Sequence, residues 1–174
     1  MDPTASRIPL ITARDELDAT GRVVFDRIVG SRGAMLRPFE VLLHSPAMAG
    51  KVAELGHVIR FGSHLTDADR ELVTLATGRA HGCAYVWESH LEAARVAGVE
   101  PATIAALESD GRSLGGRAAS LVAFVDELCE TSSVTDGTFR AAHDLIGTAA
   151  TVELALTVGY YSMLGSTMGA CGAC

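Results

Sequence analysis

At 174 residues the chain has the length of one domain of roughly 150 residues and can bury a substantial core, so a single domain over residues 1–174 is expected. Apolar residues at 48% and charged residues at 20% exclude a disordered or fibrous chain. A net charge of -7 with no basic run excludes the footprint of a nucleic-acid or anionic-membrane binder and leaves small molecules and protein partners.

Helical periodicity runs through nearly the whole chain. From Arg14 to Ile28, Leu17, Val24, Phe25 and Ile28 share a stripe that Gly30 to Gly33 interrupts. Pro38 to Leu43 reads as a short second helix. The Ser45-Pro46 step opens a third, carrying Met48, Val52, Leu55 and Ile59 and closed by Gly62. Thr66 with Asp69 three residues later makes a capping box, which starts a helix through Leu72, Val73 and Leu75 to about Ala80. His81-Gly82 is a tight turn, and Cys83 begins an amphipathic helix that ends at Gly98, so the two helices form an αα-hairpin. Pro101 opens a short helix to about Leu107, and Asp110 to Gly116 is a glycine-rich loop. Ala118 to Thr131, Thr138 to Ile146 and Thr148 to Met168 complete the helices. No strand or repeat is visible, and the expected architecture is an all-α multi-helix bundle around a central αα-hairpin.

Cys83, Cys129, Cys171 and Cys174 are too few and too uneven to be the framework of a small secreted domain. Met1 to Leu10 lacks a charged segment followed by an apolar one, so a cytoplasmic location with reduced thiols is expected. Leu154 to Cys174 carries no charge over twenty-one residues, about the length that crosses a bilayer. Four glycines and four Ser or Thr residues dilute it, and no Lys or Arg anchors its ends, so a helix in a core or subunit interface is the reading adopted.

Ionisable groups converge at the hairpin. Folding it about residue 81 sets Glu71, ten positions before, opposite His90, nine positions after. A carboxylate facing an imidazole fixes its tautomer and raises its basicity, as a general acid or base requires. Cys83, Trp87 and His90 share a face at i, i+4, i+7 spacing, and Cys83 lies where the helix dipole favours a thiolate. Cys83 and His90 are nevertheless about 10 Å apart along the axis, too far for a direct hydrogen bond. The bland alternatives are a first-turn acid for Glu71, a satisfied core histidine for His90 and a packed residue for Cys83. Tyr85 and Trp87 read as pocket walls, Tyr85 with a hydroxyl to offer a ligand, and His81 as a further donor at the turn. Cys171-Gly172-Ala173-Cys174 has the C-x-x-C spacing of redox pairs, to be weighed against exposed or interface thiols. His57, His64 and His143 are scattered without metal spacing, and no phosphate loop or nucleophile elbow is present, so neither a metal nor a cofactor is expected.

From about Pro38 to Gly169 the sequence resembles the carboxymuconolactone decarboxylase and alkyl hydroperoxidase D-like superfamily. The likeness is carried by Glu71, eleven residues, then Cys83-Ala84-Tyr85-Val86-Trp87-Glu88-Ser89-His90, and by Gly159-Tyr160-Tyr161-Ser162-Met163-Leu164. It implies an alkyl hydroperoxidase D-like helical fold and a homotrimer or homohexamer. In the family's hydroperoxidase branch the pattern is Glu, eleven residues, Cys, two residues, Cys, three residues, His. By that resemblance Glu71 and His90 would activate a second cysteine and Cys83 would resolve it, but here Val86 stands at the attacking position. The expectation is therefore cofactor-free acid-base chemistry of decarboxylase, lyase or isomerase type on a small organic substrate. In it Glu71, Cys83 and His90 are catalytic, and Tyr85, Val86, Trp87 and His81 bind substrate. The alternatives are a thiol-dependent hydroperoxidase using Cys83, with or without Cys171 and Cys174, and a non-catalytic binding protein.

Overall fold

The computed structural model describes residues 6–109, 111 and 113–174. Among them there are eight α-helices and a short 3-10 turn, and no strand. The helices are α1 (Ala19–Arg32), α2 (Arg37–Leu42), α3 (Pro46–Phe61), α4 (Asp67–Ala80), α5 (Ala84–Val96), α6 (Pro101–Ser109), α7 (Gly116–Thr131) and α8 (Asp136–Cys171). The chain groups into two compact units. One runs to Val58 and takes in Thr167–Ala173, and the other is Ile59–Ser166 with Cys174.

In the first unit the expected stripe from Arg14 to Ile28 is divided. Arg14–Glu16 forms the 3-10 turn, and Asp18 restarts the chain as a helix by accepting a hydrogen bond from the Gly21 amide at 2.7 Å. The helix then passes through Gly30 and stops at Gly33, whose φ of 78° needs no Cβ to be relieved. Ile28, Phe39, Leu43 and Ala49 form this unit's core. Arg32 lies over the Phe39 ring at 4.6 Å and donates to the Ala53 carbonyl. The last turn of α8 belongs here as well, its Cys171 carbonyl accepting from the Arg7 amide at 2.8 Å.

The second unit is built on α4. Thr66 caps it, its hydroxyl accepting from the Asp69 amide as the capping box requires, and every residue from Asp69 to Gly78 is buried. A helix buried all round must satisfy its polar side chains internally. Asp69 accepts two hydrogen bonds from the Arg117 guanidinium at 2.9 and 2.7 Å, and Thr74 and Thr77 return theirs to the carbonyls of Arg70 and Val73. The apolar remainder, Leu72, Val73 and Leu75, meets Leu121, Phe124 and Val125 of α7 and Leu154 and Val158 of α8 in one cluster. α4 packs on both α5 and α7.

The hairpin forms where expected, with His81 as the C-cap of α4 and Gly82 at φ 60° in the turn. Cys83 is the N-cap of α5, one place before the first helical turn where the sequence reading put it. Gly98 closes the α5 segment in the left-handed region at φ 90°. α8 is two helical stretches broken at Gly147 (φ 76°, ψ 173°), as the division between Ile146 and Thr148 anticipates, and it runs on to Cys171. Of the expected loop from Asp110 to Gly116, residues 110 and 112 lie outside the described residues, and Gly116 already belongs to α7. Among the described residues no helix is long and apolar enough to cross a membrane.

Candidate functional site

Glu71 occupies the second turn of α4 and points across the hairpin to α5. Its Oε2 lies 2.7 Å from His90 Nδ1, while Arg70 approaches Oε1 at 3.2 Å. The pair is sheltered, with side chains 6% and 17% exposed. Burial pushes the Glu71 carboxyl upward. The His90 hydrogen bond together with the charges of His90 and Arg70 outweighs it and holds the group below the usual carboxylate range. An ionised carboxylate only accepts, so Nδ1–H of His90 donates to it. Nδ1 is thereby the protonated nitrogen in either state of the ring, so when the imidazole is neutral its lone pair is on Nε2, which has no hydrogen-bond partner among the described residues.

Two side chains that the sequence reading did not place at the site complete it. Arg70 is tied to Asp67 at 2.7 Å as well as to Glu71, which keeps its charge beside the buried carboxylate. Tyr161 of α8 meets the imidazole edge to face, with ring centroids 5.0 Å apart at 85°. Burial, reinforced by the negative charge of Glu71, pushes its phenol far above the usual range, so it remains a neutral hydroxyl. Arg70 could have been suspected as the neighbour of Glu71. Tyr161 lies in the late stretch that carries the family likeness, but no local pattern ties it to His90.

The other expected residues are distributed differently. Val86, one turn before His90, is 3% exposed and pressed against α4: a Cβ added to Gly78 would lie 2.9 Å from its Cγ1. It is a packing residue rather than a pocket surface. Trp87 is half-buried, packs on the second core and lines a cleft of about 300 Å³ with Gly78, Arg79, Gly82, Ala84 and Glu108. That cleft includes neither Glu71 nor His90. Tyr85 is half-buried, and His81 is exposed at the turn. Among the described residues no group of three or more His, Cys, Asp or Glu side chains could hold a metal ion.

The cysteines depart most from expectation. Cys83 is bonded to Cys174 in a disulfide across 91 residues, with the Cα atoms 5.2 Å apart, whereas Cys129 and Cys171 are free. The C-x-x-C spacing of Cys171 and Cys174 therefore does not mark a bonded pair, and Cys83 is not the free thiol that the sequence reading set in the pocket. Tertiary folding decides this. α8 passes close to the hairpin turn, where a Cβ at Gly165 would lie 3.8 Å from Cys83 Cβ, and this brings the chain end to Cys83.

Residues 46–127 match the model of the Carboxymuconolactone decarboxylase family. A crystal structure described as an alkylhydroperoxidase AhpD core, an uncharacterized peroxidase-related protein from Ralstonia eutropha JMP134, superposes on 97% of this chain and 91% of that chain. Its TM-score is 0.79 at 18% identity, and it shows the fold. No curated protein sequence matches the chain. Both members of the Glu71–His90 pair lie within the segment that matches the Carboxymuconolactone decarboxylase family model, and the chain shares the fold of the alkylhydroperoxidase AhpD core over nearly its whole length.

Proposed function

We propose that the protein carries out cofactor-free acid-base chemistry, of decarboxylase, lyase or isomerase type, on a small organic substrate. The observation that carries this reading is the 2.7 Å contact between His90 Nδ1 and Glu71 Oε2 in a sheltered site. His90 Nε2 takes a proton from a carbon beside a carbonyl, or returns one to the carbanion left by loss of carbon dioxide. Glu71 is a positioning residue: it orients the ring and balances the imidazolium that forms. Arg70 keeps Glu71 ionised, so the proton stays on the imidazole. Tyr161 packs against the ring and limits its rotation. Turnover of a panel of β-keto acids and lactone carboxylic acids, followed by carbon dioxide release and by proton exchange in deuterium oxide, tests the reading. His90→Ala is expected to abolish turnover and the Cys83→Ser/Cys174→Ser double variant to retain it, and the reverse pattern overturns the proposal.

The disulfide favours a second reading, hydroperoxide reduction. Cys83 and Cys174 as thiols would give two electrons and two protons to a hydroperoxide, forming the disulfide, an alcohol and water. Consumption of cumene hydroperoxide in the presence of dithiothreitol, lost in the double variant, supports it. Exposed apolar side chains on α8, Val152, Leu156 and Met163, support assembly as a homotrimer or homohexamer, which sedimentation checks.

A further inference from the structure

The two sulfurs of the disulfide sit in unequal surroundings. Cys83 is 2% exposed and is the N-cap of α5, a helix of thirteen residues, whereas Cys174 is an exposed residue whose Sγ lies 3.6 Å from the Gly165 carbonyl oxygen. The first amides of a helix have no partner within it, and an anion at the N-cap accepts from them and lies at the positive end of the macrodipole. Burial opposes a thiolate at Cys83, but the amides at the start of α5 lie beside its position to offset that cost, and no helix start lies at Cys174. His90 stands seven residues further along α5, about 10 Å away at ~1.5 Å per residue.

We propose that the Cys83–Cys174 bond is a thiol-disulfide exchange site with a fixed polarity, in which a dithiol attacks Cys174 and expels Cys83, the start of α5 and not the Glu71–His90 pair stabilising the leaving group. Attack is directed by access and by the leaving thiol, and both select the same sulfur. One thiolate of the dithiol forms a bond to Cys174 Sγ. The bond between the two protein sulfurs breaks, its electron pair stays on Cys83, and that thiolate takes a proton from solvent. The second thiol of the dithiol then attacks the mixed disulfide and releases Cys174. The dithiol is oxidised by two electrons to its own disulfide, and the protein gains two thiols. The inference is independent of the acid-base reading; it would supply the reductive half of the hydroperoxide reading, but its test contains no hydroperoxide, so the exchange can fail or succeed separately from that activity.

The experiment uses the full oxidised chain without denaturant. Cys171→Ser is treated with glutathione, a monothiol that stops at the mixed disulfide, so that no neighbouring thiol rearranges the adduct. After an acid quench and alkylation with N-ethylmaleimide, peptides are mapped by mass spectrometry. Glutathione is expected on Cys174 and maleimide on Cys83, in at least tenfold excess over the opposite arrangement. The wild-type chain with dithiothreitol is expected to carry maleimide on both. Adducts on Cys83, adducts shared evenly, or a bond that reacts only once urea unfolds the chain would each overturn the proposal.

Discussion

Glu71 Oε2 and His90 Nδ1 lie 2.7 Å apart across the α4–α5 hairpin, nineteen residues apart in sequence, with Arg70 on the far carboxylate oxygen. Replacing His90 by Ala removes the base, and an activity that depends on general acid-base transfer is expected to fall by about 10²–10⁴-fold. Glu71→Gln keeps the shape and removes the charge that balances the imidazolium. It is expected to lower kcat more than it raises KM and to move the acid limb of the pH profile of kcat/KM toward lower pH. Glu71→Asp should restore part of that limb. A Glu71→Gln enzyme with an unaltered profile would show that Glu71 only supports the fold.

The same carboxylate links stability to pH. Glu71 is held below its ordinary value of 4.5, so the protein binds fewer protons at this position when folded than when unfolded. Its contribution is complete above the unfolded value and is lost as pH falls through the lower folded value. Urea midpoints of the wild-type chain and Glu71→Gln, measured from pH 7 to pH 3, are therefore expected to differ most near neutrality, by about 1–3 kcal/mol in free energy, and to converge in acid. Asp69 and Glu153 are also held low, by Arg117 and Thr66 and by His64 and Ser63, so both proteins lose stability in acid and only the difference reports on Glu71.

These relationships differ in how far they can be read from the sequence. The hairpin could be read because its signals are local: Thr66 and Asp69 cap α4, Gly82 turns the chain, and equal spacing about residue 81 brings Glu71 and His90 face to face. The break at Gly147 was readable for the same reason. The restart at Asp18 was missed because one capping hydrogen bond overrides an apolar stripe that continues through it. Tyr161 and Cys174 depend on how α8 runs past α5, which periodicity does not encode. The spacing of Cys171 and Cys174 suggested a local pair, whereas the bond formed joins residues 91 apart. Val86 could be seen to occupy the position of a second cysteine, but its packing against Gly78 could not.

That packing makes a sharp test. A methyl group at Gly78 would sit 2.9 Å from Val86 Cγ1 and 3.3 Å from the Trp87 amide nitrogen, so Gly78→Ala is expected to cost about 1–3 kcal/mol by overpacking. Val86→Ala alone removes two methyl groups from a buried site and is also destabilising. Combined, the added methyl fills part of the space left by valine, so the double variant should be more stable than the sum of the two losses predicts. Additive losses in urea denaturation would mean that the hairpin adjusts elsewhere and that Val86 does not set the spacing of α4 and α5.

The disulfide gives stability a redox dependence. A cross-link across 91 residues restricts the unfolded chain by about 4–5 kcal/mol in the loop-entropy account. Cys174→Ser leaves the buried face of α5 in place, because the substituted residue is exposed, and is expected to lose most of that amount. The wild-type chain in excess dithiothreitol should match Cys174→Ser, and dithiothreitol should not change the variant. Cys171→Ser should behave as wild type under both conditions, since Cys171 is free. If the reduced wild-type chain instead kept its oxidised midpoint, the bond would contribute nothing to folding. In that case the meeting of Cys83 with the chain end would rest on the packing of α8 at Gly165 alone.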